Sequence, residues 1–174
     1  MNAKSTLIIF GSIVALSLFI GGAFYIFGGV VNTGSSIPSG LYVKVDKPVA
    51  IGKYVMFCPP NRPEFQDARN KGYISPGNCP DNFGNMMLKV SAKTKNIVTI
   101  NETGVYVNDV LLPNSKPAEK DREGRLMPKL ALDHYELEPG ELLLMSEATE
   151  NPFDGRYFGI IDFEQVDSVI NPVF

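Results

Sequence analysis

Histidine is all but missing from this chain: the one present, His134, lies in Ala131-Leu132-Asp133-His134-Tyr135-Glu136. With no cysteine or second histidine beside it, it cannot seed a zinc-type ligand cluster, and no cofactor is expected. It reads as a loop histidine at or near the surface, so any nucleophilic chemistry must use another base. Basic residues form no cluster, and sixteen Lys and Arg against nineteen Asp and Glu leave a net charge of −3. That argues against a nucleic-acid surface. Cysteine is scarce too, with only Cys58 and Cys79, too few for a zinc site without histidine. Internal repeats and low-complexity segments are absent.

Charge is absent from Ser5 to Val31, where most positions are Leu, Ile, Val, Phe, Ala or Gly. About 20 apolar residues suffice to span a bilayer as a helix. A cleaved secretory signal has a shorter apolar core, about 7–15 residues, and ends in a small-x-small site. Here the run is longer, and Gly28-Gly29-Val30-Val31 makes a poor exit site. Residues 1–31 are therefore expected to be a cytoplasmic tip and an uncleaved transmembrane signal-anchor. Lys4 precedes the run, and the next basic residue is Lys44. By the positive-inside rule this puts residues 32–174 on the extracytoplasmic side of the cytoplasmic membrane. In that compartment Cys58 and Cys79, which bracket a loop rich in Pro, Asn and Gly, read as one disulfide.

Residues 32–174 suit a single domain. Sixteen Gly and thirteen Pro, with Val, Ile and Tyr in short runs, indicate strands joined by turns. The runs 41–45, 53–57, 86–90, 97–100, 104–107, 110–112, 142–146 and 157–161 read as strands. Asn108-Asp109 reads as a tight turn, 64–71 as a short helix, and 113–128 as an exposed excursion. The expected fold is mostly β, a barrel or folded sheet behind one N-terminal transmembrane helix.

Three segments carry candidate chemistry. Thr33-Gly34-Ser35-Ser36-Ile37-Pro38-Ser39-Gly40 follows the anchor directly, so a hydroxyl here can reach peptide bonds just outside a bilayer. Taken bare, it is a turn. Met86-Met87-Leu88-Lys89-Val90-Ser91 sets a lysine among apolar residues on a strand. An edge-strand lysine or a snorkelling side chain would explain it. The functional alternative is a buried amine, neutral enough to take a proton from a serine hydroxyl. The third segment, 146–159, contains Ser146, Asp154 and Arg156. Asp154 and Arg156 could be a surface pair, or Ser146 and Asp154 could orient the site around the lysine.

Ser-Ile-Pro-x-Gly-Leu-Tyr after an anchor, Leu-Lys-Val on a strand and Phe-Asp-x-Arg-Tyr-Phe-Gly, in that order, resemble the type I signal peptidases, and within them the TraF-like conjugative-transfer branch. Cys-Pro-Pro after the second strand looks like that branch as well. The resemblance implies Ser36 as nucleophile, Lys89 as general base and Asp154 as support for the lysine. Arg156 would hold the loop, and Ser146 matches a hydroxyl position near the base. Ser35 is the rival nucleophile, but the pattern of Ser, apolar residue, Pro selects Ser36. One departure is Gly34, where many signal peptidases place a hydroxyl that helps hold the oxyanion. The implied substrate is an exported precursor with a signal peptide, such as a conjugative pilin or transfer protein, met at the lipid bilayer. A transpeptidase that cyclises pilin and a non-enzymatic membrane-tethered β module are the alternatives.

Overall fold

A computed structural model describes residues 3–147 and 152–173. It begins with helix α1 (Ala3–Ile26), whose stretch Leu7–Ile26 contains no buried residue and is long and apolar enough to cross a membrane. The apolar run does not stay helical to Val31. Gly28 turns the chain with φ +79°, a left-handed conformation that glycine adopts without a Cβ clash. Residues Gly29–Asn32 then form an edge strand, β1. Gly29 lies so close beneath the ring of Phe24 that a Cβ there would sit 2.3 Å from it.

The rest is mostly β, as expected. One antiparallel sheet has the order β1-β2-β11-β3-β4-β9-β10. Its further strands are β2 (Gly40–Val45), β3 (Tyr54–Phe57), β4 (Met86–Lys93), β9 (Glu141–Met145), β10 (Ile160–Asp162) and β11 (Val166–Pro172). A smaller sheet has the order β7-β6-β5-β8, formed by β5 (Ile97–Asn101), β6 (Gly104–Val107), β7 (Val110–Leu111) and β8 (Leu132–Glu136). The turn into β7 is made by Asn108 and Asp109, both with positive φ, the conformation of a tight hairpin turn. Strands β1, β8 and β11 carry no alternating pattern and were not foreseen.

The run expected as a strand at 157–161 is divided. Asp154 caps a short helix, α3 (Gly155–Phe158), by accepting from the Arg156 N–H, and strand β10 starts only at Ile160. A carboxylate at the N-cap satisfies one of the N–H groups a helix leaves free. Gly155 permits the turn to lie against β9, because a Cβ would come within 2.7 Å of the Leu144 carbonyl.

The main core packs Val55, Phe57, Leu88, Val90 and Leu144 against α2 (Pro63–Asn70) and α3, with Phe65, Phe153, Tyr157 and Phe158 as its aromatic filling. A second cluster, including Ala92, Val98, Ile100 and Leu143, joins the two sheets. A third is small: Ile37, Tyr42, Met56 and Ile170. It is this cluster that seats the loop carrying Ser36.

Cys58 and Cys79 are disulfide-bonded. The excursion at 113–128 is tied down rather than free. Tyr73 donates its hydroxyl to Asp121 at 2.5 Å, and Arg125 reaches the same carboxylate at 2.6 Å. Burial and the bond to Asp121 push the Tyr73 hydroxyl up to about 12.

Candidate active site

Lys89 lies at the middle of the large sheet, between Tyr54 of β3 and Met145 of β9. Leu88 and Val90 are fully buried, but neighbouring residues on a strand face opposite ways. The lysine therefore points away from that core, and its side chain keeps 35% of its exposure. The register of β4 against β9 slips between Val90 and Ala92. This bulge sits directly after the lysine, a position where bulges re-aim side chains.

The Ser36 loop is held at several points. Ile37 is 1% exposed and inserts into the small cluster beneath the loop. The buried side chain of Asn32, at the end of β1, donates to the carbonyls of Ile37 and Pro38, both at 3.0 Å, and accepts from the Gly34 N–H at 3.0 Å. Tyr42 donates its hydroxyl to the Pro38 carbonyl at 2.6 Å. Beside these, the carbonyl of Ser36 accepts from the Ser146 hydroxyl at 2.7 Å and from the Glu147 N–H at 3.0 Å. Among the described residues, neither the N–H nor the hydroxyl of Ser36 has a hydrogen-bond partner. Ser36 borders a cleft of about 290 Å³ together with Tyr73, Ile74, Asn85 and Met87. One wall of that cleft thus belongs to the disulfide-closed loop. Ser35 is exposed and borders a different cleft.

Glu147 links the two halves. Its N–H holds the Ser36 carbonyl, while its carboxylate accepts from the Lys89 amine at 2.5 Å and from the Tyr54 hydroxyl through its other oxygen. The bonds from Lys89 and then Tyr54 hold its carboxyl below the ordinary glutamate value, against the opposing effect of burial. Burial and the bond to Glu147 raise the Tyr54 hydroxyl. Burial and the charge of Glu147 raise that of Tyr42, whose ring meets Tyr54 edge-on. Lys89 is therefore paired, not sequestered dry as its apolar neighbours in sequence imply.

Asp154 does not reach the lysine. Fully buried, it accepts from the Ser146 N–H at 2.9 Å, from the Arg156 N–H at 3.1 Å, and from the Arg156 guanidinium at 2.8 and 2.9 Å. Burial pushes its carboxyl up from the usual carboxylate range, opposed by Arg156 and by these N–H groups. Arg156 extends the frame to the carbonyls of Asn114 and Lys116. The order of support runs from Arg156 through Asp154 and Ser146 to the Ser36 carbonyl. Asp154 is placed to brace the Ser36 loop, two contacts from the Ser36 carbonyl.

Glu147 and Asn32 were both missed in the sequence. Asn32 is the first residue after what reads as the anchor, and nothing in its neighbours marks it as a brace. Glu147 becomes a neighbour of Lys89 only once Met145 is known to pair with it. No group of His, Cys, Asp and Glu suited to a metal ion occurs among the described residues.

The family model for "Signal peptidase, peptidase S26" matches residues 2–174. A plasmid transfer protein TraF from Escherichia coli is 46% identical over 157 residues, 90% of this chain and 89% of that protein. A second TraF from Escherichia coli is 43% identical over 166 residues, 95% of this chain and 92% of that one. A probable conjugal transfer protein TraF from Sinorhizobium fredii is 34% identical, covering 78% of this chain and 71% of that protein. The crystal structure of a signal peptidase I from Enterococcus faecalis V583 aligns with a TM-score of 0.40 and 16% identity, over 72% of this chain and 97% of that one. With a family model spanning nearly the whole sequence and relatives above 40% identity, this chain belongs to the signal peptidase family, peptidase S26.

Proposed function

We propose that this protein is a membrane-anchored serine endopeptidase that removes leader peptides from exported precursors, using Ser36 and Lys89. The observation that carries the reading is the bridge made by Glu147, whose backbone holds the Ser36 carbonyl while its side chain holds the Lys89 amine. Nucleophile and base are thereby tied to one residue.

In the mechanism, Lys89 in its neutral form takes the proton of the Ser36 hydroxyl. The oxygen attacks the carbonyl of an extended precursor segment. The free N–H of Ser36 is available to the oxyanion, a role that elsewhere contributes about 10²–10³ in rate per donor. Gly34 has no side chain to add a second donor. The leaving amine takes the proton from Lys89, an acyl-enzyme remains on Ser36, and Lys89 then activates the water that releases it. Asp154, Arg156 and Ser146 act by positioning.

The substrate class follows from the family and the anchor. Helix α1 would hold the enzyme in the cytoplasmic membrane with residues after it on the periplasmic side. Sharing a bilayer with an anchored precursor raises the effective concentration of the pair. The plasmid-transfer relatives support a conjugative pilin or transfer protein as the precursor. Ser36→Ala and Lys89→Ala should each abolish maturation of a co-expressed precursor, read as the leader-bearing form persisting on a gel. Undiminished maturation in either variant would overturn the assignment.

A further inference from the structure

The ammonium of Lys89 has no lone pair with which to accept a serine proton, yet the lysine is held by a carboxylate at 2.5 Å. Both side chains keep 35% of their exposure, so the pair is open to water and can part. Glu147 borders a cleft of about 530 Å³ on the lysine side and one of about 420 Å³ beside Ser35 and Ile37. Among the described residues lining these two clefts, Lys89 is the one cation. Among the described residues, the other titratable groups beside the pair are phenols: Tyr54 from β3, bonded to Glu147, and Tyr42 from β2 behind it.

We propose that Glu147 is a positioning residue that holds Lys89 in a resting, ion-paired form, which the amine must leave before it serves as base. This rests on the Ser36–Lys89 reading above. The step is a loss: the ammonium releases one proton to solvent, the ion pair opens, and the neutral amine turns to the Ser36 hydroxyl. Glu147 keeps the loop in register meanwhile, because its hold on Ser36 runs through the backbone and survives the opening. The residue thus sets the lower pH limit of activity.

The test is the pH profile of kcat/KM for an internally quenched peptide with an Ala-x-Ala junction, cleaved by full-length enzyme in detergent. An opposite charge within hydrogen-bond reach favours the charged form of its partner, and solvent weakens that effect for an exposed pair. Glu147→Gln should move the acid limb to lower pH, so that cleavage below the parent's limb rises severalfold. A folded, active Glu147→Gln enzyme with its acid limb unmoved would overturn the proposal. Where Glu147→Gln does not fold, the unmutated enzyme decides. Salt screens an exposed pair, so raising salt to about 0.5 M should also move the limb down, and a limb indifferent to salt would overturn the proposal. Lys89→Ala separates the two ideas: if it still cleaves, the Ser36–Lys89 reading itself has failed.

Discussion

Replacing Arg156 by leucine tests the frame behind the Ser36 loop. Asp154 is wholly buried and Arg156 nearly so, with side-chain exposures of 0% and 4%. The guanidinium supplies two of the four hydrogen bonds the carboxylate accepts. Leucine leaves that carboxylate with only the N–H groups of Ser146 and of residue 156. Breaking a buried pair from one side costs about 3–5 kcal/mol, because the remaining charge is uncompensated. For a domain of this size each kcal/mol moves the melting temperature by about 2–4 °C, so Arg156→Leu should melt about 10 °C below the parent. The sign of the pH dependence is fixed. Burial already raises the Asp154 carboxyl, and removing Arg156 takes away what opposes it. A group raised in the folded state stabilises the fold below its unfolded value, and that contribution fades as pH climbs through the folded value. The deficit should therefore be largest at neutral pH and shrink toward pH 4. Circular dichroism melts of the full chain in detergent from pH 4 to 8 would measure it. A deficit under 2 °C, or one that grows on acidification, would refute the reasoning.

Two further outcomes can be checked. Asn32→Ala removes the bonds to Ile37, Pro38 and Gly34; Pro38 keeps Tyr42, but the buried Ile37 carbonyl is left unsatisfied at about 1–3 kcal/mol, so precursor cleavage should fall at least tenfold, and an unchanged rate would show that the loop needs no such brace. Replacing both Cys58 and Cys79 by alanine opens a loop with a sequence separation of 21, costs roughly 3 kcal/mol of stability in the chain-entropy model, and should lower the urea midpoint.

What the sequence reveals depends on whether a segment's partners lie near it. The short apolar runs at 41–45, 97–100 and 104–107 carry their own strand signal and become strands β2, β5 and β6. The cysteines and the helix at 63–70 are equally legible. Strand β11 is not, since Val-Asp-Ser-Val-Ile-Asn-Pro lacks clean alternation; it pairs with β2 and β3, over a hundred residues earlier. Strand β8 has little burial on either face, so no pattern marks it. At 157–161 the aromatics look like strand material, but the carboxylate of Asp154 captures the N–H of Arg156 and wins the first turn for a helix. The lysine teaches the sharpest lesson. Leu88 and Val90 beside it suggest a dry amine, yet on a pleated strand they report on the opposite face. Only the residues two away, and those across the register, speak for its surroundings.

The junction between α1 and β1 has a geometric consequence. Just Phe27 and Gly28 separate the helix from a strand hydrogen-bonded to β2 along its whole length, and β1 spans about 13 Å at the usual rise per residue. With α1 in a bilayer, this leaves no slack hinge on which the catalytic loop could ride up or down. On the proposed peptidase reading, the protein would act as a gauge of fixed height, cutting a precursor at a set distance from the lipid surface and passing over bonds that lie nearer or farther.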